Sequence, residues 1–147
     1  LDIRQLADKN CILFLWVTSP LLEESFKVIN CWGFKYKSSF IWDKVRHNMG
    51  HYNSVRHEFL LIATKGSITP QKRKLFDSVQ TIKKGEHSEK PEFFREIIDT
   101  LYPNGNRIEC FARPNLQNRL DGTNTFDGWD VWGNEVKSDI ELVEKST

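Results

Sequence analysis

Several common architectures are argued against by what this sequence lacks. Cysteine is scarce: Cys11, Cys31 and Cys110 are odd in number, and no two share a Cys-x-x-Cys spacing. That argues against a disulfide framework or a thiolate zinc site, and the expectation is reduced core thiols in a cytoplasmic protein. The longest apolar run, Cys11-Ile12-Leu13-Phe14-Leu15-Trp16-Val17, falls far short of the ~20 residues a bilayer requires. No basic, apolar, small-residue leader opens the chain, so nothing in it points to secretion. Of the five prolines (Pro20, Pro70, Pro91, Pro103, Pro114) no two are adjacent. There is no internal repeat, and the net charge is only +1.

What is present suits one compact α/β domain over residues 1–136 and a charged tail over 137–147. The 147 residues, 39% hydrophobic and 28% charged, can build a sizeable core. The charge is unevenly spread. Between Lys44 and Lys84 nine basic residues face only Glu58 and Asp77, a segment of +7 in a chain of +1, which leaves −6 elsewhere. His47, His51 and His57 fall in the same stretch. A polyanionic partner and a merely solvated loop explain this equally well from charge alone.

Residues 2–10 read as a short helix or the end of one, with polar flanks. Residues 11–17 read as a strand buried on both faces of a parallel sheet, followed by Thr18 as an N-cap and Pro20 in the first turn of a helix that Gly33 stops. Residues 37–43 and 57–64 are two further strands, with a loop between Lys44 and His57. Residues 67–86 are irregular apart from a short strand near 79–82. Pro91 opens a helix whose apolar face is Phe94, Ile97, Ile98 and Leu101. Residues 107–112 and 129–132 complete the strands. Alternating strands and helices predict a mostly parallel sheet with ligands beyond its carboxyl ends.

Seven pieces then occur in order: Phe14-Leu15-Trp16-Val17-Thr18; Trp32-Gly33-Phe34; Ile41-Trp42-x-Lys44; Arg56-His57-Glu58 with Ala63-Thr64-Lys65-Gly66; His87-Ser88-Glu89-Lys90-Pro91; Ile108-Glu109-x-Phe111-x-Arg113-Pro114; and Gly133-Asn134-Glu135. Over residues 11–136 the chain resembles the S-adenosylmethionine-dependent adenine-N6 methyltransferases, the family of the eukaryotic mRNA enzyme and of bacterial and phage relatives that methylate DNA. The resemblance implies a Rossmann-like sheet, S-adenosylmethionine (SAM) as cofactor, nucleic acid (DNA rather than RNA) as partner, and the cytoplasm of a bacterium or phage-infected host.

It also implies roles. Lys90, just ahead of a helix, would take the cofactor's methionine carboxylate, which ammonium and helix dipole both favour. Asn134 and Glu135 match a ribose-contacting pair, Glu135 standing where an amide is usual. Arg113 matches a cofactor-edge arginine, and Asn115 a polar contact, while Leu116 departs from the pattern. Glu109 belongs to its motif, though a structural ion pair explains it as well. The substrate-side loop would use Lys44, Arg46, His47, Tyr52 and Arg56 on nucleic acid, basic groups meeting phosphates and Tyr52 stacking on a base. A metal held by His47 and His51 lacks the remaining ligands. Trp16, Trp42, Cys11 and Cys110 read as core.

The family's catalytic Asp-Pro-Pro-aromatic segment is not found in this sequence. Its strand would stand between the 11–17 and 108–112 runs, so the expectation is that the missing segment of a longer enzyme, or a second polypeptide, completes the sheet. An inactive nucleic-acid-binding partner subunit is the alternative function. A nucleotide- or metal-dependent nucleic-acid enzyme of convergent layout is the third.

Overall fold

The computed structural model describes residues 2–85, 89–111, 128–132 and 138. They fall into two compact units: Ile3–Pro103, and Asp2 with the described residues from Asn104 onward.

In the first unit, β1 (Cys11–Val17) leads through a one-turn 3-10 segment (Ser19–Leu21) into α1 (Leu22–Cys31). Thr18 stands at the cap position in extended conformation, but its side chain makes no capping hydrogen bond. Next come β2 (Lys35–Met49), β3 (Ser54–Lys65), the short β4 (Val79–Thr81) and α2 (Glu92–Leu101). The sheet order is β1-β3-β2-β4. Only β2 and β4 run parallel; β3 is antiparallel to both β1 and β2. The expected mostly parallel sheet is therefore corrected to a mostly antiparallel one. The cause is the connection: four residues, 50–53, separate β2 from β3, whereas a parallel return needs a crossover of roughly a dozen or more. β1 and β2, joined through α1, still point the same way, with β3 inserted between them. At residue 66 the chain turns tightly: Gly66 has φ +70, and a Cβ there would strike the Lys9 carbonyl and Asn10 side-chain oxygens, so only glycine fits.

Alternation along the strands sorts the faces. Phe40 and Trp42 of β2, Leu60 of β3, and Phe94, Ile97, Leu101 and Tyr102 of the α2 region form one core, with Ile12, Phe14 and Trp16 of β1 packed against it. The apolar stripe expected on α2 is the buried one. Trp42 anchors this core: it is 1% exposed, its indole N–H donates to the Ile82 carbonyl at 2.7 Å, and its ring meets Trp16 edge-on at 6.0 Å. Leu61 and Ala63 alternate to the other face and are equally buried, as is Ile29 of α1. β1 itself is mostly half-buried rather than enclosed on both faces. Among the described residues its second edge carries no strand.

The second unit contains β5 (Ile108–Cys110) and β6 (Asp130–Trp132), paired in parallel. β5 is shorter than expected because Phe111 turns out of it with φ 58. The side chain of Phe111 meets Trp132 edge-on at 5.4 Å. Cys11 and Cys110 are half-buried, and burial pushes both thiols above the ordinary range. Cys31 is exposed at the end of α1, not a core thiol. No described helix is long and apolar enough to cross a membrane.

Candidate functional site

The register of β2 and β3 creates the chemistry of the first unit. Phe40, Trp42 and Lys44 share one face of β2; Leu60 and Glu58 share the same face of β3, with Trp42 opposite Glu58. The apolar stripe thus ends in a carboxylate and an ammonium, at the end of the sheet where β1 stops at Val17 opposite Phe59. α2 begins at this same end, and Lys90 precedes it.

Glu58 is 4% exposed, which demands partners for its charge. It has two. One carboxylate oxygen accepts from the Lys90 ammonium, and the other pairs with Lys44 at 3.0 Å. The indole rings form the wall: Lys90 Nζ lies 5.3 Å from the Trp16 ring centre and 6.0 Å from that of Trp42, and Lys44 Nζ lies 5.3 Å from Trp42. Aromatic faces stabilise cations without competing for their hydrogen bonds. The trio carries a net +1. Its accessible member is Lys90, whose side chain is 32% exposed against 10% for Lys44. The arrangement is a preset ammonium, held by a buried carboxylate and able to receive an anion. Trp16 and Trp42 serve both as core and as the wall of this site.

Beyond Glu58 the two strands leave the sheet as a hairpin, where a loop was expected. Its polar residues carry no alternation to reveal a strand. Between the pairs Asp43↔His57 and Asn48↔Val55, four residues of β2 (Lys44, Val45, Arg46, His47) face Arg56 alone. This large bulge re-aims the hairpin. Val45 pays for it with φ 69, a conformation that costs a β-branched residue roughly 1–2 kcal/mol. Asp43 fastens the bulge: its carboxylate accepts the Val45 N–H at 3.0 Å and both arms of Arg56 at 2.9 and 2.6 Å, with the Thr81 hydroxyl at 3.4 Å.

The Arg56 guanidinium, then the Val45 N–H, hold the Asp43 carboxyl down at about 2 from its usual 3.8. A depressed folded-state value stabilises the fold above the unfolded-state value and ceases to do so as pH falls through the folded one. The clasp is thus complete above pH 3.8 and opens only near pH 2. Carboxyl chemical shifts of Asp43 followed by NMR should show that midpoint, and Arg56→Gln should move it back toward 3.8.

The structure therefore separates the residues singled out in the sequence. Lys90 and Lys44 meet at Glu58. Arg56 is committed to Asp43, while Arg46, His47 and Tyr52 are exposed on the hairpin. Glu109 belongs to the second unit, on β5 opposite Val131. Arg113, Asn115, Leu116, Asn134 and Glu135 lie outside the described residues. Glu58 was visible only as one letter of a motif. The signal that marks it is its place two residues before Leu60 on a buried face, where a carboxylate requires a cation.

Comparison with known proteins agrees with the motif order. The MT-A70 family model matches residues 1–135. The chain is 38% identical over 138 residues to the Type II methyltransferase M.MunI of Mycoplasma sp, covering 92% of this chain and 55% of that protein. It is 30% identical over 132 residues to the N(6)-adenosine-methyltransferase MT-A70-like protein of Drosophila melanogaster, covering 79% of this chain and 22% of that one. With the human N(6)-adenosine-methyltransferase catalytic subunit METTL3 it shares 29% over 131 residues, 78% of this chain and 23% of METTL3. The chain thus spans about half the length of the first of these relatives and under a quarter of the other two. With a family match over nearly its whole length, the chain belongs to the MT-A70 family, whose named relatives are methyltransferases.

Proposed function

We propose that this chain is the cofactor- and substrate-binding part of an enzyme that transfers a methyl group from SAM to the N6 amine of adenine in nucleic acid. The observation that carries the reading is the Lys44–Glu58–Lys90 trio, a net cation walled by two indoles ahead of α2. DNA is favoured over RNA, because identity to the Type II methyltransferase exceeds that to the N(6)-adenosine methyltransferases.

SAM, when bound, supplies an electrophilic sulfonium methyl. Lys90 would hold the methionine carboxylate, with Glu58 fixing that ammonium in place and Lys44 bound to the other carboxylate oxygen of Glu58. Arg113, Asn115, Asn134, Glu135 and Glu109 are assigned to the rest of the cofactor on family resemblance. The hairpin offers Arg46 and His47 to phosphates and Tyr52 to a base. With Lys44 and Arg56 paired to carboxylates, their part in nucleic-acid binding is to shape the hairpin's base more than to meet phosphates. The amine of adenine needs an acceptor for its protons, and the sequence holds no Asp-Pro-Pro-aromatic segment. In this reading the sheet continues past the outer edge of β1 as a Rossmann-like sheet, and the missing acceptor stands there.

Calorimetric titration of the chain with SAM and with its demethylated product tests the proposal. Saturable binding is expected, weakened about tenfold or more by Lys90→Ala, the worth of one charge-assisted hydrogen bond. Binding of nucleic acid without either cofactor form would instead favour the inactive partner subunit.

A further inference from the structure

The tip of the β2–β3 hairpin presents side chains at odds with its polar surroundings. Met49 and Tyr52 are 100% and 102% exposed. Met49 stands in the last rung opposite Ser54, and Tyr52 in the four-residue turn beyond it. The turn is narrow: the Gly50 N–H donates to the Asn53 carbonyl at 3.0 Å, and a Cβ on Gly50 would lie 2.6 Å from that same oxygen. Neither neighbouring strand accompanies the ribbon, since β1 stops at Val17↔Phe59 and β4 at Asp43↔Thr81. The base is held by the Asp43–Arg56 clasp. Arg46 and His47 stand behind the tip and His51 lies in the turn itself, and no acid occurs between Lys44 and His57. An apolar point on a cationic ribbon suits a partner with an anionic exterior and an apolar interior. Duplex nucleic acid, with phosphates outside and stacked bases within, is that partner.

We infer that Met49 and Tyr52 form a wedge that enters the base stack of a duplex and fills the space left by an extruded base. The inference rests on the proposed adenine-methylating function, because an amine paired inside a duplex is reachable only after the base leaves the stack. Apolar wedges compensate for that unstacking. The wedge and the cofactor cation are linked through the chain: Lys44, which pairs with Glu58, is the first residue of the bulge that aims the hairpin. The substrate class is thereby double-stranded nucleic acid, not an already unpaired strand.

The test uses three probes of one mixed sequence: a fully paired duplex, the same duplex with 2-aminopurine opposite an abasic site, and the single strand. The chain should bind the abasic duplex about tenfold tighter than the paired one, since the unstacking cost is already met, and 2-aminopurine fluorescence should rise. Met49→Ala combined with Tyr52→Ala should weaken binding of the paired duplex about tenfold and abolish the fluorescence rise. Affinity for the single strand should fall by clearly less than that for the paired duplex, because phosphate contacts carry most of the binding there. Both residues are fully exposed, so an unchanged melting temperature is expected and checks the fold. Equal losses on single and double strands would overturn the wedge, as would no loss on any probe, or no nucleic-acid binding by the parent chain. A change confined to self-association in sedimentation would also overturn it. SAM titration of both proteins keeps the two readings distinguishable. Intact cofactor binding with a failed wedge refutes only the wedge, and the reverse outcome refutes only the methyl-donor assignment.

Discussion

Replacing Glu58 by alanine should destabilise the 3–103 unit by roughly 3 kcal/mol, the low end of the cost of breaking a buried ion pair. Two ammonium groups depend on this carboxylate. Lys90 is partly exposed and can swing into water, which is why the low end applies. Lys44 cannot: it is 8% exposed, with its ammonium over the Trp42 ring at 5.3 Å from the ring centre. Denaturant titration measures the loss. Glu58→Gln preserves shape and one acceptor but not the charge, so it should fall between alanine and the parent. The more informative variant removes both buried charges: Glu58→Leu with Lys44→Met should recover most of the stability, because a buried ion pair is often no more stabilising than apolar side chains of its size. Cofactor affinity should not recover with it, since Lys90 would then lack the carboxylate that holds it. Recovery of both would mean that Glu58 serves only the fold.

That a carboxylate in mid-motif organises two lysines was not legible along the chain, though its neighbours were. Phe94, Ile97, Ile98 and Leu101 declare their helix face because the 3.6 period is local and complete. The runs at β1 and β3 declare strands, but an apolar run carries no direction, so parallel and antiparallel pairing look alike in one dimension. The short 50–53 connection would have fixed the direction of β3 had β2 been seen to continue past Asp43. It was not seen, because from Val45 onward β2 is exposed and holds no buried stripe. The site follows the same logic. Lys90 stood out because Pro91 marks a helix start beside it. Glu58 required the cross-strand register that puts it opposite Trp42, and the Asp43–Arg56 clasp required knowing that 13 residues of separation close into a single contact.

Trp42→Ala should cost about 3–5 kcal/mol, the range for removing a large buried aromatic. Against a total stability of roughly 5–15 kcal/mol for an ordinary domain, that leaves the unit near its unfolding midpoint. The residue combines several roles. Its ring is 1% exposed at the centre of the core, and its N–H is the partner of the Ile82 carbonyl. Its ring also underlies both ammonium groups. Trp42→Phe keeps most of the volume but strands the Ile82 carbonyl, a loss of about 1–3 kcal/mol. Trp16→Ala provides the contrast. Trp16 is only partly buried, yet its face lies nearer to Lys90 than that of Trp42 does. If the indoles wall a cofactor site, Trp16→Ala should cost less stability than Trp42→Ala but at least as much cofactor affinity as Trp42→Phe. Denaturant midpoints paired with calorimetric titration of SAM separate the two quantities. Affinity losses that simply tracked stability across the three variants would reduce both rings to packing, and would leave Lys90 a lysine held by Glu58 for the fold alone.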